Sequence, residues 1–141
     1  MKASDLAAAL LPAPLTAAQQ SQGQQLHALH RAKQGTHKWN EMQAARDKLP
    51  AAAKRRAVLS ALEGHSVLVV SGETGCGKTT QVPQFILDDA IESGRAGAVS
   101  IICTQPRRLS AIGVATRVAA ERCEPLGQTV LRLRRMALDC A

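Results

Sequence analysis

Eight residues, Gly72-Glu73-Thr74-Gly75-Cys76-Gly77-Lys78-Thr79, follow the spacing G-x-x-x-x-G-K-T. Their types suit the holding of a chain of phosphates. Glycines at 72, 75 and 77 tolerate positive φ and close backbone approach, so the amides of Gly75 to Thr79 can wrap an anion. A helix opening at Lys78 would add the positive end of its dipole. The Lys78 ammonium can bridge β- and γ-phosphates, and the Thr79 hydroxyl can ligate Mg²⁺. A chance glycine turn with a solvated lysine is the competing reading. The setting weighs against it, because the octapeptide leaves a β-branched run and enters a helical pattern. A nucleoside triphosphate such as ATP, with Mg²⁺, is the expected ligand. A second group, Thr104-Gln105-Pro106-Arg107-Arg108, ends in two adjacent guanidiniums at a helix start. Paired arginines there can grip phosphates bidentately, though a solvated basic helix start accounts for them as well.

These residues need elements to position them. Ser66-Val67-Leu68-Val69-Val70-Ser71 and Val99-Ser100-Ile101-Ile102-Cys103 are short apolar runs, which predict strands buried in a parallel sheet. Helices are predicted from about Lys78 to Glu92 and from about Arg107 to Cys123. Leu109, Ile112, Val114 and Val118 form the apolar stripe of the latter. Pro83 lies inside the first of these and is expected to loosen its opening turns. Strand, helix, strand, helix makes a right-handed βαβ crossover of an α/β fold. Such a sheet would set Arg107 and Arg108 just beyond a strand's carboxyl end, the usual ligand side.

Upstream, Asn40 is expected to cap a helix to about Lys48, stopped by Pro50. A second helix is expected from about Ala52 to Leu62, ending at Gly64. Residues 1–38 include the tract Gln19-Gln20-Ser21-Gln22-Gly23-Gln24-Gln25 and read as a disordered Ala/Gln-rich leader. The expected organisation is therefore leader (1–38), helical lead-in (39–63), α/β domain (64–130) and divergent tail (131–141).

Composition narrows the class further. The chain has 141 residues, 18 basic and 11 acidic side chains, a net charge of +7 and 45% hydrophobic residues, enough for one packed domain at most. Its apolar runs fall short of the ~20 residues a membrane helix requires, so no membrane partner is expected. Cys76, Cys103, Cys123 and Cys140 include no Cys-x-x-Cys pair, which argues against a disulfide scaffold or zinc ribbon. A reducing compartment, cytoplasmic or nuclear, follows. The alanine-rich start, with Lys2 and Asp5, makes a poor secretory signal and a weak organelle one. Trp39 and Phe85 are the only aromatic residues, which excludes an RNA-recognition sheet of stacked aromatics. His27, His30, His37 and His65 lack partners at metal-binding spacing and read as exposed or packed. Cys76 is either a turn filler or, beside Lys78, an oxidant-sensitive thiol. Arg132, Arg134 and Arg135 read as a solvated stripe before a nucleic-acid contact.

The stretch Gly72 to Leu87, with Thr104 to Arg108 and the upstream Arg46-Asp47-Lys48-Leu49-Pro50, closely resembles the DEAH/RHA branch of superfamily 2 RNA helicases. The resemblance runs from about Met42 to Val130. It implies a RecA-like P-loop domain and ATP hydrolysis coupled to RNA unwinding. It assigns Gly75, Gly77, Lys78, Thr79 and Thr80 to the ATP and Mg²⁺ motif, with Lys78 and Thr79 serving catalysis. It also sets Thr104 to Arg108 against a single-stranded RNA backbone, leaves DNA open as a substrate, and matches Arg117 to an arginine that stacks on adenine.

The family's Asp-Glu-x-His carboxylates, its Ser-Ala-Thr motif and its second RecA-like domain have no counterpart in the 141 residues. The expectation is accordingly a partial first RecA-like domain, inactive alone, from a truncated product, a splice form or a partial gene model. Two alternatives stay open. One is a non-catalytic ATP- or RNA-binding fragment. The other is a small P-loop nucleotide kinase, for which the chain offers no arginine-rich lid.

Overall fold

Thr16 opens the first helix with a reciprocal cap. Its hydroxyl accepts from the Gln19 N–H at 3.3 Å, and the Gln19 side chain accepts from the Thr16 N–H at 2.9 Å. The structure, a computed structural model, describes residues 14–125. Five α-helices follow one another among these: α1 (Ala17–Lys33), α2 (His37–Asp47), α3 (Arg55–Gly64), α4 (Lys78–Glu92) and α5 (Arg108–Glu121). A single 3₁₀ turn, Ala52–Lys54, leads into α3.

The glutamine tract is not a disordered leader: it lies within α1. Glutamine and alanine are good helix formers, and the capping box supplies the start signal that the composition hides. The leader's first 13 residues and the 131–141 tail, with Arg132, Arg134 and Arg135, lie outside the described residues. The expected sheet is absent from the described residues as well. Residues 66–71 and 99–103 form no strand, and the described residues contain no parallel sheet, no βαβ unit and hence no RecA-like α/β layer. Val67 and Val69 are 78% and 87% exposed, the reverse of the burial that a two-sided apolar run predicts. A β-branched run sets a local preference for extended backbone. A ladder also needs partners distant in sequence, and these segments have none among the described residues.

The helices fare differently. The bounds of α4 are those the pattern predicts, and it runs through Pro83 without a break. Thr36, not Asn40, caps α2, its hydroxyl accepting from the Trp39 N–H. On α5 the stripe is only partly buried: Val118 is enclosed and Val114 half-buried, while Leu109 and Ile112 face solvent.

α4 is the hub, packing against α1, α3 and α5. Leu87, Ala90 and Ile91 of α4 form the core with Ala96, flanked by Leu26 of α1 and by Ile101. Small residues bring α1 this close. A Cβ on Gly23 would lie 3.2 Å from the Gly94 carbonyl oxygen. A Cβ on Gly97 would collide with the Gln19 carbonyl. The far end of α1 is fixed by an ion pair from Lys33 Nζ to Glu124 Oε1 at 2.7 Å. His30 meets Trp39 edge-on, with ring centroids 5.1 Å apart.

Gly97→Ala should therefore release α1, costing about 1–3 kcal/mol of stability by overpacking. Thermal melting and hydrogen exchange across Ala17–Lys33 would read this, and unchanged exchange would refute the close approach. A second expectation concerns pH. Burial lowers the pKa of His30, opposed by the Asp88 charge and assisted by Arg122 and Lys33, with Glu92 opposing weakly. The folded value lies below the unfolded ~6.5, so the stabilising neutral state holds above ~6.5 and is lost as pH falls through the folded value. Melting temperature should fall from pH 7.5 to 5.5, and less steeply in His30→Gln. Equal slopes would exclude His30 as a cause.

Candidate nucleotide-binding site

The glycine-rich turn is shaped by two left-handed residues, Gly75 (φ +84°) and Gly77 (φ +96°). Gly77 is the N-cap of α4, so the loop ends where the helix's free N–H groups begin. The turn is braced from upstream. The Ala51 N–H donates to the Cys76 carbonyl at 3.1 Å. Leu49 covers Gly77 so closely that a Cβ there would lie 3.2 Å from Leu49 Cδ1. Thus the Leu49-Pro50-Ala51 step holds the loop against α4.

Lys78 folds back across the turn. Its Nζ donates to the Gly72 carbonyl at 2.6 Å and to the Glu73 carbonyl at 2.7 Å, with Cys76 Sγ 3.4 Å away. A Cβ on Gly72 would lie 3.3 Å from that sulfur and 3.6 Å from Lys78 Cδ, so a side chain at 72 would fill the cradle. Glu73, Thr74 and Thr79 are exposed, and Thr80 Oγ1 donates to the Gly77 carbonyl at 3.3 Å. The residues present fit a polyphosphate: backbone N–H groups at a helix start, a lysine held by two carbonyls and a thiol rather than by a carboxylate, and an open hydroxyl at Thr79. Among the described residues no group of three His, Cys, Asp or Glu side chains is placed to hold a metal ion. A Mg²⁺ ion would depend on Thr79 and on phosphate oxygens.

The other predicted residues are not gathered at this loop by any direct hydrogen bond. Arg107 is the N-cap position of α5 and Arg108 its first residue. Both are exposed, as are Thr104 and Pro106, with Gln105 half-buried. Arg117 lies farther along α5, its side chain 62% exposed, and its Nε donates to Glu121 Oε1 at 2.6 Å.

A buried polar network that the sequence reading missed lies behind the loop. Gln81, fully enclosed, accepts from Arg46 Nε at 2.8 Å and donates to Glu121 Oε2 at 2.8 Å and to Thr80 Oγ1 at 3.0 Å. Gln84 Nε2 donates to the same Glu121 oxygen at 2.8 Å. One turn on, Asp88 takes Arg46 NH2 at 3.2 Å and Arg122 NH1 at 2.6 Å on its two oxygens. Burial pushes the Glu121 carboxyl up, but hydrogen bonds from Arg117, Gln81 and Gln84 and the Arg117 charge hold it below its ordinary value. Asp88 is likewise raised by burial and brought lower overall by Arg122 and Arg46. A signal was present: Gln81, Gln84 and Asp88 recur at i, i+3 and i+7 on a helix whose other inward residues are apolar.

Comparison with known proteins bears on this arrangement. No family model matches the chain. A bovine (Bos taurus) "ATP-dependent DNA/RNA helicase DHX36" is 59% identical over 87 residues, 62% of this chain and 9% of that protein. The human "Putative ATP-dependent RNA helicase DHX57" is 52% identical over 100 residues, 71% of this chain and 7% of that protein. A "Putative DEAH-box ATP-dependent helicase UM11114" from Mycosarcoma maydis is 51% identical over 107 residues, 76% of this chain and 6% of that protein. Over the matched stretch the chain is a homologue of the DEAH/DExH-box helicases. It spans less than a tenth of the length of these helicases.

Proposed function

We propose that this chain forms the phosphate-binding part of an ATP-dependent helicase that acts on RNA. The observation that carries the reading is the loop itself. It combines two left-handed glycines, a helix start and a lysine folded over the cradle, in a stretch about half identical to helicases. Lys78 would exchange its two carbonyl contacts for β- and γ-phosphate oxygens, and the amides of Gly75 to Thr79 would take the remaining charge. Thr79 would hold Mg²⁺, which when bound neutralises charge on the phosphates. Gly72 leaves room for the phosphates, and Glu73, Thr74, Cys76 and Thr80 shape the turn.

On the same reading, Thr104 to Arg108 meet the sugar–phosphate backbone of single-stranded RNA, and Arg117 stacks on the nucleotide base. DNA is a second substrate class, since one relative's name includes both nucleic acids. A cytoplasmic or nuclear setting accords with Cys76, Cys103 and Cys123 being unbridged. The chain alone is expected to bind nucleotide far better than it turns it over. Hydrolysis in this chemistry draws on carboxylates that order metal and water, and the Asp-Glu-x-His motif does not occur in the 141 residues.

Lys78→Ala should weaken binding of a fluorescent ATP analogue with Mg²⁺ by at least tenfold. The lysine makes charge-assisted bonds of about 1.5–3 kcal/mol each. Equal affinities for the two proteins would remove the phosphate-cradle reading.

A further inference from the structure

Glu121 holds a position that an ordinary surface ion pair would not explain. The pair Arg117–Glu121 has i, i+4 spacing on α5, and exposed pairs of that kind contribute little. Here the two ends differ sharply. The Glu121 side chain is 2% exposed while that of Arg117 is 62% exposed. Glu121 Oε2 is claimed by two amide donors from α4, Gln81 and Gln84, at 2.8 Å each. Only Oε1 is left for Arg117, which it takes through Nε at 2.6 Å.

This arrangement fixes a guanidinium by one edge. The carboxylate cannot follow a moving arginine, because Gln81 is itself locked by Arg46 and Gln84 by the Thr80 carbonyl at 2.9 Å. The other edge of Arg117, with its NH1 and NH2 groups, makes no hydrogen bond among the described residues. A planar cation held in this way, with its remaining surface in solvent, is suited to stack on a flat aromatic ring. The chain of contacts also leads directly to the phosphate loop. Arg117 to Glu121, Glu121 to Gln81 and Gln81 to Thr80 are three successive hydrogen bonds.

We infer that Glu121 is a positioning residue for nucleotide recognition: anchored by Gln81 and Gln84 on the phosphate-loop helix, it aims Arg117 at the base of the bound nucleotide. This rests on the nucleotide-binding reading above and adds how base and phosphate recognition are held in register. Arg117 carries the base contact and Glu121 acts only through it. Phosphate affinity should then be untouched by either residue.

The test compares two ligands on the full 141-residue chain, a fluorescent ATP analogue with Mg²⁺ and inorganic tripolyphosphate. Glu121→Gln, which lacks the acceptor capacity to serve Arg117 and both glutamines together, should weaken ATP binding about five- to tenfold. Tripolyphosphate affinity should stay within twofold. Arg117→Ala should do the same, and the double variant should be no weaker than either single one, because the residues act in series. Equal loss for both ligands, or additive losses in the double variant, would overturn the inference and leave Glu121 a structural residue. If Glu121→Gln fails to fold by circular dichroism, Arg117→Lys takes its place. Its ammonium keeps the charge at an exposed site without the planar edge, so ATP binding should fall as with Arg117→Ala, and wild-type affinity would overturn the inference. Wild-type ATP binding that does not depend on Lys78 would overturn the site reading and this inference with it.

Discussion

Two buried carboxylates, Asp88 and Glu121, set the terms for the rest of this structure. Each is removed from water and must be matched by donors, most of them from other helices. Arg46 of α2 and Arg122 beyond α5 serve Asp88, while Gln81 and Gln84 of α4 and Arg117 of α5 serve Glu121. A buried ion pair adds little net stability over an apolar replacement, but losing one partner costs about 3–5 kcal/mol. Its value here is geometric. Each donor has one satisfactory place, so the helices that carry the donors have one arrangement. The apolar core around Ile91 holds the helices together, and the polar network determines their mutual setting.

That network lies directly under the glycine-rich turn. Gln81 is one turn beyond Lys78, and Arg46 belongs to the same upstream stretch whose Leu49 and Ala51 brace the glycine turn. The loop is thus held on two sides, by hydrogen bonds to its carbonyls and by a leucine over its second left-handed glycine. Lys78 meanwhile occupies the cradle through two short bonds to backbone oxygens. A phosphate bound there would exchange those bonds for charged ones, a favourable exchange because carbonyls compete poorly with phosphate for an ammonium.

What could be read from the sequence follows from how local each signal is. The octapeptide and α4 were legible because a spaced glycine–lysine motif and a helical period are contained in a few adjacent residues. The resemblance of that stretch to DEAH/RHA helicases was legible for the same reason. The sheet was misread because Val67 to Val70 and Val99 to Ile102 show only a preference for extended backbone, and pairing depends on residues far away. The α1 helix was missed because glutamine-rich composition masks a capping box, and its docking depends on Gly23 and Gly97, where the informative feature is an absent side chain. The buried roles of Arg46 and Glu121 were not legible, since a charged residue on an amphipathic helix is usually solvated. Only the polar stripe Gln81, Gln84, Asp88 hinted otherwise.

The glycine-rich turn and α5 are joined through Gln81 and Glu121. Backbone hydrogen exchange, measured with and without Mg²⁺ and a non-hydrolysable ATP analogue, tests it most directly. Slowed exchange is expected at residues 72–81 together with residues 117–121 of α5, with no change along Ala17–Lys33. Slowing confined to the loop, or equal slowing along α1, would contradict that connection.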